Sequence, residues 1–104
     1  MKLKAGVKFG NPIIAICVAM QVVNSIYTKY GFDCVITSFN DGQHMVKSKH
    51  YSDSAFDCRT KNISFPAIKQ QMIAEIKLSL GENYDVIFES EGTDNEHLHF
   101  ELKK

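Results

Sequence analysis

Two short stretches hold the residues able to do chemistry: "SKHYSDSAFDC", Ser48 to Cys58, and "NEHLHFEL", Asn95 to Leu102. The first places His50 and Asp57 seven residues apart, and the second places Glu96 three residues before His99. Two imidazoles and a carboxylate are the donors of a hydrolytic zinc site, which takes three protein ligands and leaves a fourth position for water. Glu96 is then a spare carboxylate, able to take a proton from a water whose pKa the metal has lowered to about 7. Side chains alternate along a strand, so His97, His99 and Glu101 share one face and Leu98, Phe100 and Leu102 the other. The same rule turns Phe56 and Cys58 inward and Ala55, Asp57 and Arg59 outward. Asp57 and His99 therefore meet on one sheet face if their strands are neighbours, with the small Ala55 leaving space beside them. His50 arrives from the irregular segment just before, and Glu96 stands where a turn enters the last strand, within reach of the metal water.

The elements that must position these residues are legible from periodicity and punctuation. Asn11-Pro12 opens a helix that runs from Ile13 to about Tyr30 and stops at Gly31. Asp33 to Phe39 has the β-branched content of a strand, "NDGQH" is turn chemistry, and Ser54 to Thr60 is a second strand. Ser64 is placed to cap a second helix with Pro66 in its first turn and Gly81 at its end. Ile68, Met72, Ile76 and Leu80 recur every four residues along it, with Ile73 alongside, to make one apolar face. Tyr84 to Ser90 and His97 to Leu102 are strands joined by the turn "EGTDN". The order predicts an α+β domain: a small, mostly antiparallel sheet with packed helices.

A chain of 104 residues makes one domain, residues 1–104, with a single core. Twelve basic residues balance twelve acidic ones, so no basic excess points to nucleic acid or an anionic membrane. Cys17, Cys34 and Cys58 are odd in number and lack zinc-finger spacing. They read as small buried hydrophobes in a reducing compartment. Lys2, Lys4 and Lys8 ahead of "IIAICVAM" resemble a crude signal peptide. The apolar pattern nevertheless continues with helical period through Val23, Ile26 and Tyr27, and eight apolar residues are too few to span a bilayer. A buried first helix is expected instead.

Ser48-x-His50-x-x-Asp53-x-Ala55-x-Asp57, followed by Glu96-x-x-His99, resembles the signature S-x-H-x-x-G-x-A-x-D…E-x-x-H of the zinc D-Ala-D-Ala peptidases. That group includes carboxypeptidases and dipeptidases, phage L-alanyl-D-glutamate endopeptidases and the structurally related Hedgehog signalling domain. The resemblance runs from about Thr37 to Leu102, roughly two thirds of the chain. It implies that His50, Asp57 and His99 bind Zn²⁺ and that Glu96 is the general base, later returning a proton to the leaving amine. It also implies that His44 steadies the substrate carbonyl or oxyanion, and that Ser48 holds the loop or contacts substrate. The implied fold is a small Hedgehog/DD-peptidase-like α+β domain with zinc in a groove on an antiparallel sheet. Two positions depart from the pattern: Asp53 stands for the glycine, and the upstream substrate arginine is missing, Arg59 being the only arginine. The implied activity is hydrolysis of an amide in a peptidoglycan stem peptide, with D-Ala-D-Ala carboxypeptidase first and L-Ala-D-Glu endopeptidase second. The alternative is a non-catalytic zinc-binding module of the same fold that holds a protein partner. A monomeric phage or bacterial protein is expected, located in the cytoplasm of the producing cell, on a virion, or released to the cell wall.

Overall fold

A computed structural model describes residues 1–7, 14–39 and 54–103. The helical start at Asn11-Pro12, the "NDGQH" turn, and His44, Ser48, His50 and Asp53 lie outside the described residues. The chain runs β1 (Lys2–Leu3), α1 (Ile14–Lys29), β2 (Val35–Ser38), β3 (Ala55–Arg59), α2 (Pro66–Leu80), β4 (Tyr84–Glu89) and β5 (His97–Leu102). The strands form one sheet in the order β1-β2-β3-β5-β4. The α+β expectation holds and the sheet is mostly antiparallel; it is mixed only because β1 pairs parallel to β2 at an edge. A two-residue strand gives no alternation to read, so periodicity could not announce it. The remaining pairings are antiparallel.

Both helices pack on one face of the sheet. Ile16, Ala19, Met20, Val23, Ile26 and Tyr27 of α1 join Met72, Ile73 and Ile76 of α2 over Ile36, Phe56, Cys58, Leu98 and Phe100 in a single core. Phe56 and Phe100 are register partners and stack with ring centroids 4.7 Å apart. Two tyrosines tie helix to sheet. The Tyr27 hydroxyl donates to the Arg59 carbonyl and the Tyr84 hydroxyl to the Ala15 carbonyl, each at 2.8 Å. Among the described residues no helix is long and apolar enough to cross a membrane.

Two local expectations change. Helix α2 takes Phe65, not Ser64, as its N-cap, with no side-chain cap bond. Pro66 disfavours helical geometry in the residue before it, and Phe65 is extended at φ −109°, ψ 108°, which fixes the boundary there. Gly81 ends the helix at φ 79° and donates its N–H to the Lys77 carbonyl, as expected. Of the cysteines, Cys34 and Cys58 are buried with sulfurs 3.6 Å apart, whereas Cys17 is exposed on the outer side of α1.

The core stack lies directly beneath the outward pair Asp57 and His99. Phe100→Ala is expected to cost about 3–5 kcal/mol of stability, read as a lower urea midpoint with an unchanged slope. A loss well under 1 kcal/mol would mean that this stack does not carry the β3–β5 pairing.

Candidate functional site

Cross-strand register builds the site. In the β3–β5 ladder Asp57 faces His99, Ala55 faces Glu101 and Arg59 faces His97. On the far side of β5, Ile87 faces His99 and Glu89 faces His97. All of these have the parity opposite to the core residues Phe56, Cys58, Leu98 and Phe100, so they occupy the face away from the helices. His99 is thus central, flanked by β3 and β4. Ala55 is fully buried despite its outward parity, so it is packed rather than open.

The polar side chains form an alternating chain of carboxylates and imidazoles. His99 donates Nδ1–H to Asp57 Oδ1 and Nε2–H to Glu101 Oε1, both at 2.8 Å. His97 donates Nδ1–H to the Asn95 carbonyl at 2.6 Å and Nε2–H to Glu89 Oε1 at 2.8 Å. Its Nε2 is also 3.8 Å from Asp57 Oδ2. The side chains of Asp57, His97 and His99 keep only 16%, 14% and 14% of their exposure, so these contacts are shielded from bulk water. The Asp57 hydrogen bond, opposed by burial and helped by Glu101, pushes the His99 imidazolium up to about 9. Burial works against His97 too, but its bonds to Asn95 and Glu89 and the Asp57 charge raise it above the ordinary histidine range.

This donor set fits part of a metal centre. Asp57 oxygen and His99 Nδ1 come from adjacent strands and already share a proton in the position where a cation would bind both. Metal ligation by Nδ1 requires that proton to leave, so acid opposes loading. Among the described residues no three His, Cys, Asp or Glu side chains are grouped to hold one ion. The third expected ligand, His50, lies outside them, as do His44 and Ser48.

Glu96 is placed elsewhere. Only 6% of it is exposed, and its carboxylate enters the helix–sheet interface. Oε2 accepts from Lys69 Nζ and Thr60 Oγ1, each at 2.6 Å, and Oε1 accepts from the Gly92 N–H at 3.0 Å. Thr60 itself is fully buried. The expectation that Glu96 reaches the face of His99 is corrected: an odd separation of three residues at a strand entrance sends the two side chains to opposite faces. Burial raises the Glu96 carboxyl, but bonds from Lys69, Thr60 and Gly92 outweigh it and hold the group below its ordinary range. The turn that delivers it is tightly made. Gly92 has φ +82°, which favours glycine, and Thr93 bonds back to the Ser90 carbonyl through both its N–H and its hydroxyl.

Ser38 is a site neighbour that pattern reading missed. The register advances two residues on β2, Ile36 to Ser38, against one on β3, Cys58 to Asp57. This bulge brings Ser38 opposite Asp57 and returns Phe39 to the core, where it is fully buried. Strict alternation would have put Ser38 inside. Glu101 was legible as an outward residue, but its bond to His99 was not, nor was the bond of Glu89 to His97. An open groove of about 560 Å³ between the end of α2 and the start of β4, lined by Lys77, Gly81, Tyr84 and Lys103, contains none of the expected site residues.

Comparison with protein-family models, curated proteins and solved structures finds no match to this chain.

The Glu96 cluster predicts an acid-limb effect. A carboxyl whose folded pKa lies below 4.5 stabilises the fold above that pH and loses the contribution as pH falls through the depressed value. At neutral pH, Glu96→Gln leaves Lys69 poorly compensated and is expected to cost about 2–3 kcal/mol. This is less than the ~3–5 for breaking a fully buried pair, since Lys69 keeps 15% exposure. Urea unfolding from pH 7 to pH 3 should show the gap between wild type and variant narrowing below pH 4.5; a pH-independent gap would contradict the assignment.

Proposed function

We propose that this chain is a zinc-dependent peptidase acting on an amide of bacterial peptidoglycan stem peptides, with D-Ala-D-Ala carboxypeptidase as the leading activity and L-Ala-D-Glu endopeptidase the next. The observation that carries the reading is the Asp57–His99 pair, joined at 2.8 Å across adjacent strands on the sheet face opposite α1 and α2. His50, Asp57 and His99 would hold the ion, matching the order and spacing of the peptidase signature. A bound Zn²⁺ supplies Lewis-acid polarisation of the scissile carbonyl and a water acidic enough to be ionised near neutral pH. Asp57 offers the ion a negative oxygen, and Glu101 accepts from Nε2 of His99, so that Nδ1, which faces Asp57, is the nitrogen that would bind the ion once its proton leaves. The half-buried setting of Asp57 and His99 strengthens their attraction for a cation relative to open solvent. Ile87, 45% exposed and directly opposite His99, adds an apolar surface where an alanine methyl of the substrate could rest.

A second reading, the non-catalytic zinc-binding module, is favoured by one observation. Glu96 has three donors on the helical side of the sheet, a structural use that requires no catalysis. For Glu96 to act as general base, its carboxylate must leave Lys69 and Thr60 for the opposite face.

Stem pentapeptide and muropeptides incubated with zinc-loaded protein, followed by mass spectrometry, separate these readings. Loss of one alanine with wild type and not with Asp57→Ala or His99→Ala is the expected result. Cleavage between L-Ala and D-Glu would move the activity to the endopeptidase type. Cleavage that survives in folded Glu96→Gln would remove Glu96 as the base and assign that role to a carboxylate on the His99 face. Intact substrates with zinc bound would favour the binding module and contradict the peptidase.

A further inference from the structure

We infer that Glu101 is the positioning residue of the metal centre, holding the His99 ring so that Nδ1 faces Asp57 and the ion. The inference rests on the reading of Asp57 and His99 as ligands and goes beyond it. A metal-bound histidine almost always gives its second ring N–H to a carboxylate, carbonyl or water, which fixes both tautomer and ring angle. His99 has that arrangement: Nε2 lies 2.8 Å from Glu101 Oε1 while Nδ1 lies 2.8 Å from Asp57 Oδ1. Without Glu101, Nε2–H loses its acceptor and the ring could turn about its bond to Cβ.

The neighbours explain why Glu101 leans toward His99. The two share a face, two residues apart on β5. Across β3 stands Ala55, whose side chain ends at Cβ and cannot bond the carboxylate. Across β4 stands Asp85, a like charge directly opposite, itself 3.6 Å from Lys103 Nζ. The Glu101 carboxylate bonds the His99 ring, at 2.8 Å. Its strand neighbour His97 is built differently, because its two nitrogens are engaged by Asn95 and Glu89 and neither is aimed as closely at Asp57.

The test is zinc affinity by competition with a chromophoric chelator for wild type, Glu101→Ala and Glu101→Gln, beside nitrogen-15 NMR of the histidine rings in the metal-free proteins. Glu101→Ala is expected to bind zinc 10- to 100-fold more weakly. Glu101→Gln, whose amide oxygen still accepts, should recover most of the affinity. The slowly exchanging Nε2 proton of His99 should be present in wild type and Glu101→Gln and lost in Glu101→Ala. Glu101→Thr, a good strand former too short to reach the ring, repeats the test with the same expected loss if the alanine variant does not fold. A purely structural Glu101 would lower the melting temperature and leave zinc affinity and the ring proton unchanged, which overturns the inference while the ligand pair stands. A wild type that binds no zinc overturns the ligand reading, and the inference with it.

Discussion

The register between β3 and β5 is the constraint on which the rest of this molecule depends. Because Phe56 meets Phe100 and Cys58 meets Leu98 on the core face, Asp57 must meet His99 on the other. A one-residue slip would put two aromatic rings into solvent and two ionisable groups into the core, so the apolar stack and the polar pair enforce each other. Tyr27, bonded from α1 to the Arg59 carbonyl, anchors the same strand from the helical side. The polar pair on the outer face is therefore held in place by packing on the inner one.

Strand parity also divides the acids near the C-terminus into two kinds. Glu96 faces the helices and closes a buried cluster with Lys69 and Thr60, securing the start of β5 against α2. Glu101 faces outward and bonds an imidazole. A carboxylate fixed by three donors is a good structural tie and a poor mobile base, because leaving would strand an ammonium and a hydroxyl with little access to water. Electrostatic balance follows the same division. The outer face alternates imidazole with carboxylate, while the inner cluster pairs one carboxylate with three donors.

Much of this was legible in the sequence. Alternation in "AFDCR" and "HLHFEL" gave the two faces correctly, and the four-residue recurrence in α2 gave its buried side. The strong signals were long-range patterns enforced by burial. What failed was geometry at irregular points. The bulge at β2 reverses the parity of Ser38 and Phe39, the proline moves the start of α2 to Phe65, and the two-residue β1 has no period at all. Glu96 was misplaced for a related reason. Its spacing to His99 fits a motif, but the direction of its side chain depends on Lys69 and Thr60, which lie 27 and 36 residues away.

Anomalous diffraction at the zinc edge from crystals of the zinc-loaded protein would locate the ion. One strong peak is expected, bonded to Asp57 and His99, with Glu101 retained on the far nitrogen of the ring. Zinc bound elsewhere, or no zinc with the Asp57–His99 hydrogen bond intact, would contradict the ligand reading.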